Sequence, residues 1–158
     1  MTDVPYIELH TASAFSFLQG ASLPEALVER AAALGYPAMA LLDADGVYGA
    51  PRFHKAALRA GLRPIIGAAL TMHAGNPQSR RSVWILPVLV ETQEGYRNLC
   101  RLVTRMKMRA PKGEGALTLE DFEGMTAGLV ALAGRPVLDG RRHGVGGLLD
   151  RLVGRGGG

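Results

Sequence analysis

Cysteine is almost missing from this chain: Cys100 stands alone, so neither an intramolecular disulfide nor a zinc site built from thiolates can form within one copy. Long apolar runs are missing too. None reaches the roughly 18 residues of a membrane-spanning helix, and MTDVPYIELH has no basic stretch leading into an apolar one. Export and membrane insertion are therefore disfavoured, and a cytoplasmic address is expected. Histidine is scarce and scattered. His10, His54, His73 and His143 show neither H-x-H nor H-x-x-x-H spacing, and the last three read as surface residues rather than ligands.

What is present suits a folded, water-soluble chain. With 47% hydrophobic and 20% charged residues, disorder is excluded for most of its length, and 158 residues make one domain with a sizeable core the working expectation. The 21 glycines and 9 prolines call for many loops or an incomplete fold. A net charge of +4 permits nucleic acid as a neighbour without deciding for it.

Short apolar runs at residues 6–9 (YIEL), 38–42 (AMALL), 64–70 (PIIGAAL), 83–90 (VWILPVLV) and 128–133 (GLVALA) alternate with helical patterns, which predicts an α/β fold with a mostly parallel sheet. The first helix is predicted over 23–34. Ser22 and Glu25 have capping-box spacing, Pro24 suits a first turn, Leu27, Ala31 and Leu34 line one face, and Gly35 can close it. A second is predicted from Pro51 to Ala60, with Phe53, Ala56, Ala57 and Ala60 inward and Gly61 beyond its end. The third covers 93–108, where Tyr96, Leu99, Val103 and Met106 recur near the helical period. Ala110–Gly115 is a loop by its Pro and Gly content, Leu117–Asp121 can add a helical turn, and an apparent helix over Val145–Val153 precedes the glycine-rich residues 154–158.

In parallel α/β folds chemistry gathers at the carboxyl ends of strands. Three such ends, LHTA at 9–12, LDADG at 42–46 and GAAL at 67–70, offer His10, Asp43 and Asp45 as candidate metal ligands, while Ala12, Ala44 and Ala69 supply no lone pairs. The plainer reading makes His10 a partly buried residue hydrogen-bonded to a loop, and gives Asp43 and Asp45 turn and cap bonds before Gly46. Arg97, Arg101, Arg105 and Arg109 recur every four residues, with Lys107 and Lys112 nearby. This stripe could meet phosphates or an acidic surface of another domain, or form a solvated face opposite the apolar one. No aromatic cluster accompanies it to stack bases.

The segments ELHTASAFSFLQGAS, LPEALVERAAALGYPAMALLDADGVYGAPRFHKAALRAGLRPIIGAAL and GYRNLCRLVTRMK, followed by LTLEDF and GLVALAG, resemble the polymerase-and-histidinol-phosphatase (PHP) domain that opens the alpha subunit of bacterial DnaE-type DNA polymerases, most closely the error-prone branch. Metal-binding members of that family read H-x-H-S-x-F-S-x-L-D-G, then T-D-H, then G-x-E. Here His10 is retained, while Ala12, Gln19, Ala44 and Ala69 stand at the other four early ligand positions. Ser13, Phe15, Ser16, Phe17 and Gly20 keep the loop's other motif residues. The resemblance implies a partial PHP-type (β/α) barrel over residues 4–153, truncated before completion, with a tail at 154–158. It implies a degenerate metal site of which His10, Asp43 and Asp45 are the remnant, no cofactor, and a chain that is catalytically inactive by itself. It also implies that the partner is the remainder of a DnaE-type polymerase, with DNA reached only through that parent and no membrane involved. A stand-alone metal-dependent phosphoesterase using His10, Asp43 and Asp45 is the rival reading, and an independent regulator acting through the arginine stripe is a third.

Overall fold

The computed structural model describes residues 4–73, 83–111 and 113–134. The expected Val145–Val153 helix, His143, Lys112 and the 154–158 tail lie outside the described residues. The elements run β1 (Glu8–Thr11), α1 (Pro24–Ala33), β2 (Ala38–Ala44), α2 (Ala50–Arg59), β3 (Arg63–His73), β4 (Val83–Val90), α3 (Gln93–Arg109), the 3-10 turn η1 (Leu119–Phe122) and β5 (Leu129–Ala131). The strands follow the order β1-β2-β3-β4-β5 in one open sheet, as the α/β expectation requires. The chain divides into two compact units, Met1–Ala68 and Ala69–Gly158, and each is described by itself.

In the first unit β1 pairs parallel with β2, Glu8 opposite Met39 and Thr11 opposite Leu41, with an irregularity between. Six of the seven β2 residues are buried, the pattern of a strand covered on both faces. Its core joins Val28 and Ala31 of α1, Met39 and Leu41 of β2, Phe53 and Ala57 of α2, and Leu62. The two helices follow the predicted spans to within a residue. Gly35 and Gly61 sit at φ +72° and +71°, the left-handed conformation that ends a helix at little steric cost.

Details depart from expectation for local reasons. Ser22 makes no capping box, because α1 begins one residue later, with Leu23 as its N-cap and no side-chain cap bond. The Ser22 carbonyl instead accepts from the Ala14 N–H at 2.8 Å. Val28 rather than Leu34 fills the inner face of α1, and Leu34, at the C-cap, is exposed. Ala60 likewise lies past the end of α2 and is exposed. The first strand starts at Glu8 rather than at residue 6, and Tyr6 and Ile7 stay exposed.

In the second unit β4 and β5 pair antiparallel in the register Val88↔Ala131, Leu89↔Val130, Val90↔Leu129. The helix α3 packs on both strands, burying Leu99, Leu102, Val103 and Met106. Tyr96, predicted on that face, is exposed instead. Thr92 caps α3 by accepting the Gly95 N–H at 3.1 Å. Gly95 itself touches Gly128 backbone to backbone. A Cβ added at Gly95 would strike the Gly128 carbonyl, and one at Gly128 would strike the Thr92 hydroxyl. Buried Asn98 ties the same place by donating to the Ala127 carbonyl at 3.1 Å.

Candidate functional site

The loop after β1 is built around one carboxyl group. Asp43, on β2 and 2% exposed, has three donors from residues 27 and 30 positions earlier in the chain. Its Oδ1 accepts from the Ser13 N–H at 2.7 Å, the Ser13 hydroxyl at 2.9 Å and the Ser16 hydroxyl at 2.8 Å. Its Oδ2 shares the Ser13 hydroxyl at 2.9 Å and lies against Gly49, where an added Cβ would stand 2.7 Å away. Ser16 Oγ in turn accepts the Ala44 N–H at 3.0 Å, tying loop to strand a second time. The expected turn and cap bonds of Asp43 are thus replaced by long-range bonds to the preceding loop. Three donors compensate what desolvation of a carboxyl group costs.

The loop closes on itself as well. Ser16 N–H donates to the Ser13 carbonyl, and the Gln19 and Gly20 N–H groups both donate to the Ser16 carbonyl. Gly20 rests on the Ser13 carbonyl so closely that any Cβ would collide with it. This is why the S-x-x-S spacing and Gly20 belong together: two hydroxyls reach one carboxyl only if the loop doubles back. At the loop's tip Phe17 and Leu18 are 82% and 90% exposed, and Leu18 holds φ 62°, a left-handed value disfavoured for a side chain of its size.

The sequence-derived ligand candidates do not assemble. His10 is exposed on β1 rather than partly buried, and its backbone N–H donates to Glu8 Oε1 at 2.9 Å. Asp45 is half-buried just past β2 at φ 50°. Ala12 and Ala44 are half-buried, Ala69 is buried on β3, and Gln19 is exposed. Among the described residues no three His, Cys, Asp or Glu side chains gather closely enough to hold a metal ion. The described donor set does not fit one: Ala12, Ala44 and Ala69 bring methyl groups to the three strand ends, and Asp43 is already committed to serines. His54 is exposed on α2, as expected of a surface residue, whereas His73 is half-buried at the end of β3.

The arginine stripe divides. Arg109 forms a two-toothed pair with buried Asp121, Nη1 to Oδ2 at 2.8 Å and Nη2 to Oδ1 at 2.7 Å. Arg105 donates to the Asp121 carbonyl at 3.0 Å and stands 3.7 Å from Oδ1. Asp121 also accepts the Thr118 N–H at 2.9 Å, closing a capping box on η1. Burial pushes the Asp121 carboxyl up, but the Arg109 and Thr118 bonds and the charges of Arg109 and Arg105 outweigh it and hold the group below the ordinary aspartate value. Arg97 and Arg101 remain on the exposed face. Sequence reasoning missed Ser13, Ser16 and Asp121 as the partners that organise these two places. The T-x-x-D spacing of Thr118 and Asp121 was the available signal for the last.

No helix among the described residues is long and apolar enough to cross a membrane. The chain is 43% identical over 133 residues to an error-prone DNA polymerase of Ralstonia nicotianae, covering 83% of this chain and 12% of that one. It is 51% identical over 110 residues to an error-prone DNA polymerase of Anaeromyxobacter sp., covering 70% of this chain and 9% of the relative. It thus spans roughly a tenth of the length of the curated relatives it matches. Among solved structures, an amidohydrolase from Chromobacterium violaceum, with bound sulfate and no metal, superposes with a TM-score of 0.52 at 26% identity, over 65% of this chain and 33% of that chain. The model of the PHP domain matches residues 8–155, most of the chain, and the chain belongs to the PHP domain family.

Proposed function

We propose that this chain is an N-terminal PHP-domain portion of an error-prone DnaE-type DNA polymerase, and that its role there is structural, with the family's metal site degenerate. The relatives' names support the first half. The second half rests on one observation: Asp43, the acidic residue kept from the second motif, is buried and engaged by Ser13 and Ser16. The remnant His10, Asp43 and Asp45 then serve no phosphoester hydrolysis. The chain's contribution to DNA replication and repair, including synthesis past lesions, comes through the polymerase that carries it, and DNA is met through that parent. Arg105 and Arg109 hold the chain's own η1 turn, so any phosphate or domain contact made by α3 falls to Arg97 and Arg101.

Calorimetric titration of the 158-residue chain with zinc and with manganese tests the degenerate site. We expect no saturable binding and no hydrolysis of a generic phosphomonoester. Saturable binding or hydrolysis that His10→Ala abolishes would instead establish the phosphoesterase reading.

A further inference from the structure

The loop over residues 13–20 is held from inside by Asp43, and a second set of contacts holds it from outside. Phe15, between the two serines, lies under the guanidinium of Arg52, whose central carbon stands 5.8 Å from the ring centroid. Arg52 is in the first turn of α2 and Glu25 in the first turn of α1. Glu25 accepts from Arg52 with both carboxylate oxygens, Nε to Oε1 at 2.7 Å and Nη2 to Oε2 at 3.0 Å. The two helices pack on each other, so this pair joins their N-terminal turns. Inner and outer contacts meet at Gly49. Its φ of −77° is open to any residue, yet an added Cβ would stand 2.7 Å from Asp43 Oδ2 and 3.1 Å from the Phe15 ring. The missing side chain lets ring and carboxyl group seat together.

We propose that Glu25 and Arg52 form a clasp that, through the Phe15 ring, keeps residues 15–20 of this loop closed, so that this part opens locally, and more often in salt, while the rest of the first unit stays folded. The two holds differ in what reaches them. Asp43 is 2% exposed and bonded to neutral groups, whereas the Arg52 and Glu25 side chains are 47% and 39% exposed and meet through charge. Salt screens an exposed ion pair and leaves a buried neutral network alone. Ser13, tied to Asp43 by both its N–H and its hydroxyl, therefore stays in place. Residues 15–20 open by giving up the bonds of the Ser16 hydroxyl to Asp43 and to the Ala44 N–H. Leu18 favours that step, since opening frees it from its left-handed φ of 62°.

The test is residue-resolved amide hydrogen exchange on the 158-residue chain. The Gln19 and Gly20 N–H groups, both bonded to the Ser16 carbonyl, report the loop. The Tyr36 and Leu62 N–H groups, bonded to the Ala31 and Ala57 carbonyls at the far ends of the same two helices, serve as the reference. We expect Arg52→Ala to speed the loop pair about threefold relative to the reference pair, the effect of losing an exposed ion pair, and Glu25→Gln to do so by less. Acceleration of both pairs by one factor in Arg52→Ala, or no change in the ratio for either variant, would overturn the proposal. Wild type alone gives an answer even if a variant fails to fold. Raising ionic strength from about 0.1 M to about 1 M should speed its loop pair over its reference pair, and an unchanged ratio overturns the clasp.

Discussion

Among the described residues each unit holds one buried aspartate that ties down a distant piece of chain, and the two are held by different means. Asp43 has two hydroxyls and a backbone N–H around it, with no cation among the partners described above. Asp121 has two arginines, one of them two-toothed, with the Thr118 N–H and, at 3.4 Å, the Thr118 hydroxyl. Neutral donors of fixed length impose a shape on the loop that bears them. Long cationic side chains compensate charge over a range of geometries and stay partly in water, Arg105 and Arg109 being 36% and 51% exposed. Shape control sits in the loop after β1, and charge control sits in a helix-to-turn tether.

The largest effect expected of any single change to this contrast is Asp43→Ala. It strands three buried donors and should lower the unfolding free energy by about 3–5 kcal/mol, read by urea denaturation. A loss no greater than that of an ordinary surface change would show that the serines find other partners and that the loop does not depend on the carboxyl group.

Asp121→Asn should cost less, about 1–2 kcal/mol, because the arginines it leaves behind reach solvent. It also carries a pH signature. The Asp121 carboxyl is held below its ordinary value of 3.8 in the folded chain, so the stability it adds is present above that value and is lost as pH falls through the folded one. Unfolding curves from neutral pH down into that acid range should therefore be less steep in pH for Asp121→Asn than for wild type.

The smallest expected difference is in salt. Raising ionic strength from about 0.1 M to about 1 M shortens the screening length from roughly 10 Å to roughly 3 Å. The Asp121 tether should weaken slightly, seen as a smaller stability gap between wild type and Asp121→Asn. The gap between wild type and Asp43→Ala should stay unchanged, since among the described residues that network holds no ion pair.

Periodicity carried the fold far: three helices lie within a residue of their predicted ends, because apolar spacing and the closing glycines are local signals. The face assignments were weaker. Leu34 and Ala60 fit the helical period but sit at the C-caps, where the chain leaves the helix, and both are exposed. At the candidate site the sequence showed that Ala12, Ala44 and Ala69 bring no lone pair. It could not show what Asp43 does instead, because partners 27 and 30 residues away are set by how β1 docks on β2. The arginine stripe misled in part for the same reason. Arg105 and Arg109 satisfy a helical spacing, yet their partner lies 16 and 12 residues downstream.

The meeting of Gly95 with Gly128 fixes more than a turn. Two segments that fit together only where both lack a side chain are coupled in evolution: neither position can vary while its counterpart keeps this spacing. A lineage that changed one of them would have to rebuild the start of α3 and the entry to β5 together.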